Sequence, residues 1–222
     1  MIQSKNKTLV TLGGMLLGIV LLFVTMFAGH FPNYKEHYAW SVFLTRICIW
    51  LALAIVFLYA AKIEQQPFLP WRDKKHRWWK IVLFVLGIVI LSVLVPAIIN
   101  TILQHYGITS PAAQRDLIIH TLKANIPLLV FTCATAGVTE ELLFRGYMLP
   151  RLVNLVKSPA LAIIISALVF GIFHVGWGSW IQTIGPFWVG IVFGFFYWKF
   201  RSLKFLIIFH FCWDMLGMLV AK

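Results

Sequence analysis

Residues 81–103 read IVLFVLGIVILSVLVPAIINTIL, an unbroken run without a single charged side chain. A helix needs about 20 mainly apolar residues to cross a bilayer, so this stretch is long enough for one passage. Working outward from it, comparable stretches recur at 9–29, 39–61, 126–144, 159–178, 181–198 and 205–221. The composition agrees: of 222 residues, 61% are hydrophobic and only 12% are charged. Soluble domains run nearer a quarter charged, and a chain this short cannot hide that much apolar surface inside one globule. A soluble enzyme, a disordered chain and a disulfide scaffold are excluded. The expected fold is an all-α polytopic membrane protein, a bundle of about seven transmembrane helices.

The 22-residue connection 104–125 holds Ser110-Pro111, which reads as the N-cap and first position of a short helix. Leu117, Ile118 and Leu122 give it an apolar face, and the expectation is that it lies on the membrane surface. Lys5 and Lys7 resemble the start of a signal peptide, but the run behind them is long enough to span, so a retained first helix is expected. Gly14-x-x-x-Gly18 and Gly190-x-x-x-Gly194 permit close helix contact. One domain is expected, with helices 1–3 and the interfacial helix in 1–125 and a four-helix core in 126–222. Cys48, Cys133 and Cys212 all fall in apolar stretches and read as reduced packing residues.

The net charge of +12 asks which side of the membrane the cations occupy. The N-terminus, the second–third loop, the fourth–fifth loop with Arg145, Arg151 and Lys157, and the sixth–seventh loop hold fourteen of the 19 Lys and Arg. Lys35, Arg115, Lys123 and Lys222 hold four on the other side, and Arg46 lies inside the second span. The expected orientation in the cell membrane, inner or plasma, is N-terminus cytoplasmic and C-terminus outside. Trp71, Trp78 and Trp79 interleave with the basic second–third loop as an interfacial belt beside anionic headgroups. That makes the lipid bilayer, and not nucleic acid, the partner of this loop.

Ionisable groups at bilayer depth cost about 3 kcal/mol each on insertion scales and mark functional sites. Of seven acidic residues, Glu140, Glu141 and Asp214 lie in or at the ends of spans, as do His174 and His210 among seven histidines. Glu141 and Arg145 are four apart on one helix face and can pair, whereas Glu140 is rotated by about 100° and needs another partner. His210 and Asp214 also share a face. Phe170 precedes His174 by one turn and can pack beside its ring.

In order, the chain presents Glu140-Glu141-Leu-Leu-Phe-Arg145, Phe170-Gly-Ile-Phe-His174 and His210-Phe-Cys-Trp-Asp214. This set resembles the CAAX-protease and bacteriocin-processing (Abi) family of intramembrane endopeptidases, whose pattern is Glu-Glu-x-x-x-Arg, Phe-x-x-x-His and His-x-x-x-Asn/Asp on successive core helices. The resemblance covers roughly 126–222 and no part of the first three spans. It implies that Glu140 is the general base activating water, with His174 sharing that water. His210 and Asp214 would stand across the cavity at the oxyanion, and Glu141, Arg145 and Phe170 would support the site. The substrate would be a peptide or membrane protein, its identity and the oligomeric state being left open.

Asp214 stands where family members often have Asn, and an ionised Asp cannot donate to an oxyanion. It could orient His210, be protonated, or join Glu140, His174 and His210 as ligands of one divalent metal such as zinc. The cofactor is thus none or one metal. A nucleophilic Cys133, seven residues before Glu140, is disfavoured by its carboxylate surroundings. A non-catalytic binding or immunity protein and an ion- or proton-coupled transporter are the alternatives that the same buried cluster allows. One tension stands in the spacing. Counted from Pro159, His174 is about 22 Å along a helix, and His210 about 12 Å less from the same side.

Overall fold

The structure is a computed structural model that describes residues 2–28, 36–107, 113–175 and 181–221. The described residues form helices and connecting turns: α1 (Ile2–Ala28), α2 (Tyr38–Glu64), α3 (Trp78–His105), α4 (Ala113–Lys123), α5 (Ile126–Val156), α6 (Pro159–Ile172), α7 (Ile181–Phe200) and α8 (Leu203–Val220). Five of them, α1, α2, α3, α5 and α8, are long and apolar enough to cross a membrane by length and composition. This is an all-α, multi-pass membrane protein. Leu83, Leu86, Ile90, Val93 and Leu94 of α3 are exposed, as a helix surrounded by lipid requires.

The fourth span differs most from its expected length. The apolar run stops near 144 in the sequence, yet the helix continues to Val156. Arg145 and Arg151, expected in a loop, are therefore inside α5 and almost fully buried. Each carries its own counter-charge: Arg145 Nη1 lies 2.9 Å from Glu141 Oε1, and Arg151 Nη2 lies 2.8 Å from Glu64 Oε2. Paired charges lowered the local hydropathy without ending the helix, so neither arginine belongs in the count of loop cations. The α2 span likewise runs past 61 to Glu64, whose carboxylate takes Arg151 through Nε and Nη2. The carbonyls of Tyr147, Phe68 and Pro67 accept the remaining guanidinium hydrogens, which satisfies all five donors.

Inside α5, residues Ala136–Met148 are wound as a π-helix, with α-helical turns on both sides. Such i→i+5 winding is rare and concentrates at functional sites. Asn125 caps the start, its side chain accepting from Leu128 N at 3.1 Å. Lys157 in the left-handed conformation ends the helix, and Ser158 then caps α6 by accepting from Leu161 N. That two-residue link folds α5 and α6 into an antiparallel hairpin, which the edge-to-face contact of Phe144 with Phe170, centroids 5.1 Å apart, confirms.

Close approach is built on small residues. A Cβ on Gly190 would sit 3.0 Å from Ala167 Cα, and one on Gly194 would sit 3.1 Å from Ile163 Cγ2, so this pair seats α7 against α6. Gly14 and Gly18 face Tyr59, Tyr147, Val56 and Leu143 across α1. A Cβ on Gly137 would meet the Phe211 amide at 3.0 Å and the Ile207 carbonyl at 3.1 Å, so α5 and α8 touch backbone to backbone there.

Three local expectations change. A short helix is present after 112, with Ser110-Pro111 outside the described residues. Its apolar face is turned into the protein: Ile118, Ile119 and Leu122 are buried with Val42, Leu128, Leu129 and Cys133. Trp71 is packed into the bundle beneath Arg201, whose guanidinium carbon is 3.2 Å from its ring centroid. Trp78 and Trp79 remain exposed. The loop carrying Trp71 is fastened to the α7–α8 corner, where Asp73 accepts from the Leu203 and Lys204 amides. Cys212 is exposed on α8 and packs nothing, whereas Cys133 is buried; all three thiols are free.

Candidate active site

The π-wound part of α5 supplies Glu140, Glu141 and Arg145 to the centre of the bundle. Glu141 is completely buried. Its Oε1 accepts from Arg145 Nη1 at 2.9 Å and from His210 Nδ1 at 2.9 Å. The expected Glu141–Arg145 ion pair is present, and the same oxygen also holds the histidine of α8. Arg145 in turn lies between two aromatic faces, its guanidinium carbon 4.7 Å from the Phe170 centroid and 5.3 Å from that of Phe193. Cation–π contact of this kind suits a guanidinium kept from water. Phe193 also packs edge-on to His210.

Phe170 has a double role that its spacing only half announces. Its ring lies 4.7 Å from that of His174, as the i, i+4 spacing predicts. Its carbonyl oxygen also lies 2.9 Å from His174 Nδ1. A carbonyl can only accept, so Nδ1 carries the hydrogen and Nε2 is left for a ligand.

His174 is not within the helix as expected. Helix α6 ends at Ile172, and His174 sits on the turn beyond it, within electrostatic range of Glu140 and His210. His174 and His210 lie within electrostatic range of each other, so the depth mismatch between them is absent. Glu140 is sixteen residues before Val156 and His174 fifteen after Pro159, so the α5–α6 hairpin sets them at one level. Because α5 runs twelve residues past Phe144, about 18 Å of helix, α6 begins that much farther from the site than the apolar run implied.

The α8 residues complete the cluster. With Nδ1 committed to Glu141, His210 Nε2 faces Asp214 Oδ2 at 3.5 Å and Glu140 Oε2 at 3.9 Å. The glutamate side chains differ in access: Glu140 retains 24% of its exposure and Glu141 none, while Asp214 retains 27%. The sealed carboxylate holds the scaffold, and the other two stay partly exposed. Among the described residues, no three of His, Cys, Asp and Glu converge as a metal set. His210 Nδ1 is held by Glu141 and its Nε2 stays free of a hydrogen bond, and no step is derived through a metal.

One charged group was missed. Arg46, on α2, lies within electrostatic range of Glu140 and Asp214. Val42 and Leu53, which are buried, fall one turn before it and two turns after it on the same helix face. The signal was present in the sequence, because an arginine in the middle of an apolar span is a functional-site candidate by default. It was counted only for orientation.

Residues 122–216 match the family described as type II CAAX prenyl endopeptidase Rce1-like. Over this segment, a little under half of its length, the chain is similar to the CAAX-protease family. No curated protein and no solved structure matches the chain. The likeness is therefore to a CAAX-type intramembrane protease. The matched segment begins at the end of α4 and takes in α5, α6, α7 and most of α8. It includes Glu140, Glu141, Arg145, Phe170, His174, His210 and Asp214, and it leaves out α1–α3 with Arg46 and Glu64.

Proposed function

We propose that the protein is an intramembrane endopeptidase in which Glu140 and His174 activate a water molecule against a peptide bond. The observation that carries this reading is the convergence of α5, the α6 turn and α8 on one cluster whose only reachable carboxylates are Glu140 and Asp214. Glu140 takes a proton from water as its oxygen attacks the scissile carbonyl carbon. His174 accepts the second water hydrogen through Nε2 and orients the lone pair. The oxyanion of the tetrahedral intermediate receives Nε2–H of His210, which Glu141 holds in place through Nδ1. Glu140 then delivers the proton to the amide nitrogen as the C–N bond breaks. Asp214 orients His210 from the adjacent turn.

The substrate class is a peptide or membrane-protein segment drawn into the open side of the cluster. The family description names a CAAX prenyl endopeptidase, so a prenylated peptide is one candidate among others. We place the N-terminus in the cytoplasm and the C-terminus outside, from the remaining excess of loop cations.

The experiment is a comparison of membrane-peptide termini by N- and C-terminal mass spectrometry. Cells would contain either the native chain or Glu140→Gln at matched levels. Termini that disappear with Glu140→Gln name the substrate and the cleaved bond. Identical termini with both proteins folded would overturn the assignment.

A further inference from the structure

We propose that Arg46, contributed by α2 from outside the matched segment, is a catalytic residue that donates to the oxyanion beside His210. This rests on the peptidase reading above and adds a group that the family pattern in 126–222 does not contain.

The oxyanion is short of donors in this chain. His210 has a single free nitrogen, Nε2. Asp214, as a carboxylate, can accept but not donate. In the same cluster, Arg46 Nε is buried and has no hydrogen-bond partner. No ion pair joins its guanidinium to either reachable carboxylate among the described residues, although Glu140 and Asp214 both act on it electrostatically. Arg145 and Arg151, the other arginines of the bundle interior, are by contrast bonded to carboxylates and carbonyls. A half-buried arginine whose Nε is sealed from water without a partner is costly to keep unless something arrives to accept that hydrogen.

Arg46 is also held at its level. One turn later on α2, Trp50 Nε1 donates to Thr135 Oγ1 at 3.0 Å. Thr135 stands immediately before the π-wound segment that bears Glu140 and is itself fully buried. That bond fixes the register of α2 against α5, so Arg46 is held one turn from this contact, within electrostatic range of Glu140 and Asp214, before substrate arrives. Donors set in place in advance are what stabilise a developing oxyanion.

The test uses the peptide bond mapped by the termini comparison, built into an internally quenched peptide and cleaved by the full chain in detergent. Arg46→Gln lowers kcat about 100- to 1,000-fold, the usual effect of losing one oxyanion donor, while KM changes little because the contact exists mainly in the transition state. Arg46→Lys, which keeps a cation on the same helix face, recovers part of the loss. Folded Arg46→Gln with native kcat overturns this inference alone and leaves the role of Glu140 standing. If Arg46→Gln does not fold, Arg46→Gln with Asp214→Asn removes both charges together. Turnover of that pair equal to that of Asp214→Asn alone reduces Arg46 to a counter-ion and overturns the inference, and a further loss of 100-fold or more relative to Asp214→Asn upholds it. Absence of any product that depends on Glu140 overturns the peptidase reading and this inference with it.

Discussion

His210 Nδ1 lies 2.9 Å from Glu141 Oε1, the same oxygen that accepts from Arg145 Nη1. One buried oxygen thus ties the π-wound segment of α5 to α8 and fixes which nitrogen of His210 faces the open side. The adjacent pair of glutamates divides the work: Glu141 is sealed within the scaffold, and Glu140 retains access.

Replacement of Glu141 by Gln leaves the shape but removes the charge. Arg145 is almost fully buried, and breaking a buried pair by removing one partner costs about 3–5 kcal/mol. Glu141→Gln is expected to lower the thermal midpoint in detergent and to lower turnover, since the acceptor that orients His210 loses its charge. A native midpoint would show that Arg145 is held by Phe170, Phe193 and the Gly190 carbonyl alone.

The Glu64–Arg151 pair fastens the end of α2 to the end of α5 away from the cluster. Glu64→Gln or Arg151→Met is expected to destabilise by about 3–5 kcal/mol, whereas Glu64→Leu with Arg151→Met recovers much of that stability. Chemical unfolding of the four proteins measures the coupling. Simple additivity of the two single losses would contradict it.

Gly137 is the point at which α5 and α8 meet through their backbones. Gly137→Val pushes α8 outward, separates His210 from Glu141, and is expected to cost stability and peptidase activity together. Gly185 in α7 is the control, because a Cβ there meets nothing within 4 Å. Gly185→Ala is expected to be neutral or to stabilise by up to about 1 kcal/mol, the ordinary preference of a helix for Ala. Unfolding midpoints of both variants decide the comparison.

Cys133 is buried among Val42, Leu128 and Leu129, one helix region before the cluster. As a packing thiol it is dispensable for chemistry. Cys133→Ala is expected to retain turnover within a few-fold, with a modest loss of stability from the smaller side chain. Loss of all turnover by a folded Cys133→Ala protein would revive covalent catalysis.

What the sequence determined by itself is the membrane class and the chemical set. Long apolar runs admit one solution, helices whose backbone groups bond internally. Carboxylates and histidines at helical spacing within those runs stand out because each is costly there. Glu141 with Arg145 and Phe170 with His174 were legible as i, i+4 pairs, since such contacts lie within one helix or its first turn. The tertiary structure alone decided everything that depends on distance between segments. Hydropathy averages over paired charges, so Arg145 and Arg151 looked like a loop until Glu141 and Glu64 were seen beside them. The resulting length of α5 set the level at which His174 meets Glu140. Register between α2 and α5, fixed by Trp50 and Thr135, brought Arg46 to the carboxylates, and no periodicity within α2 carries that information.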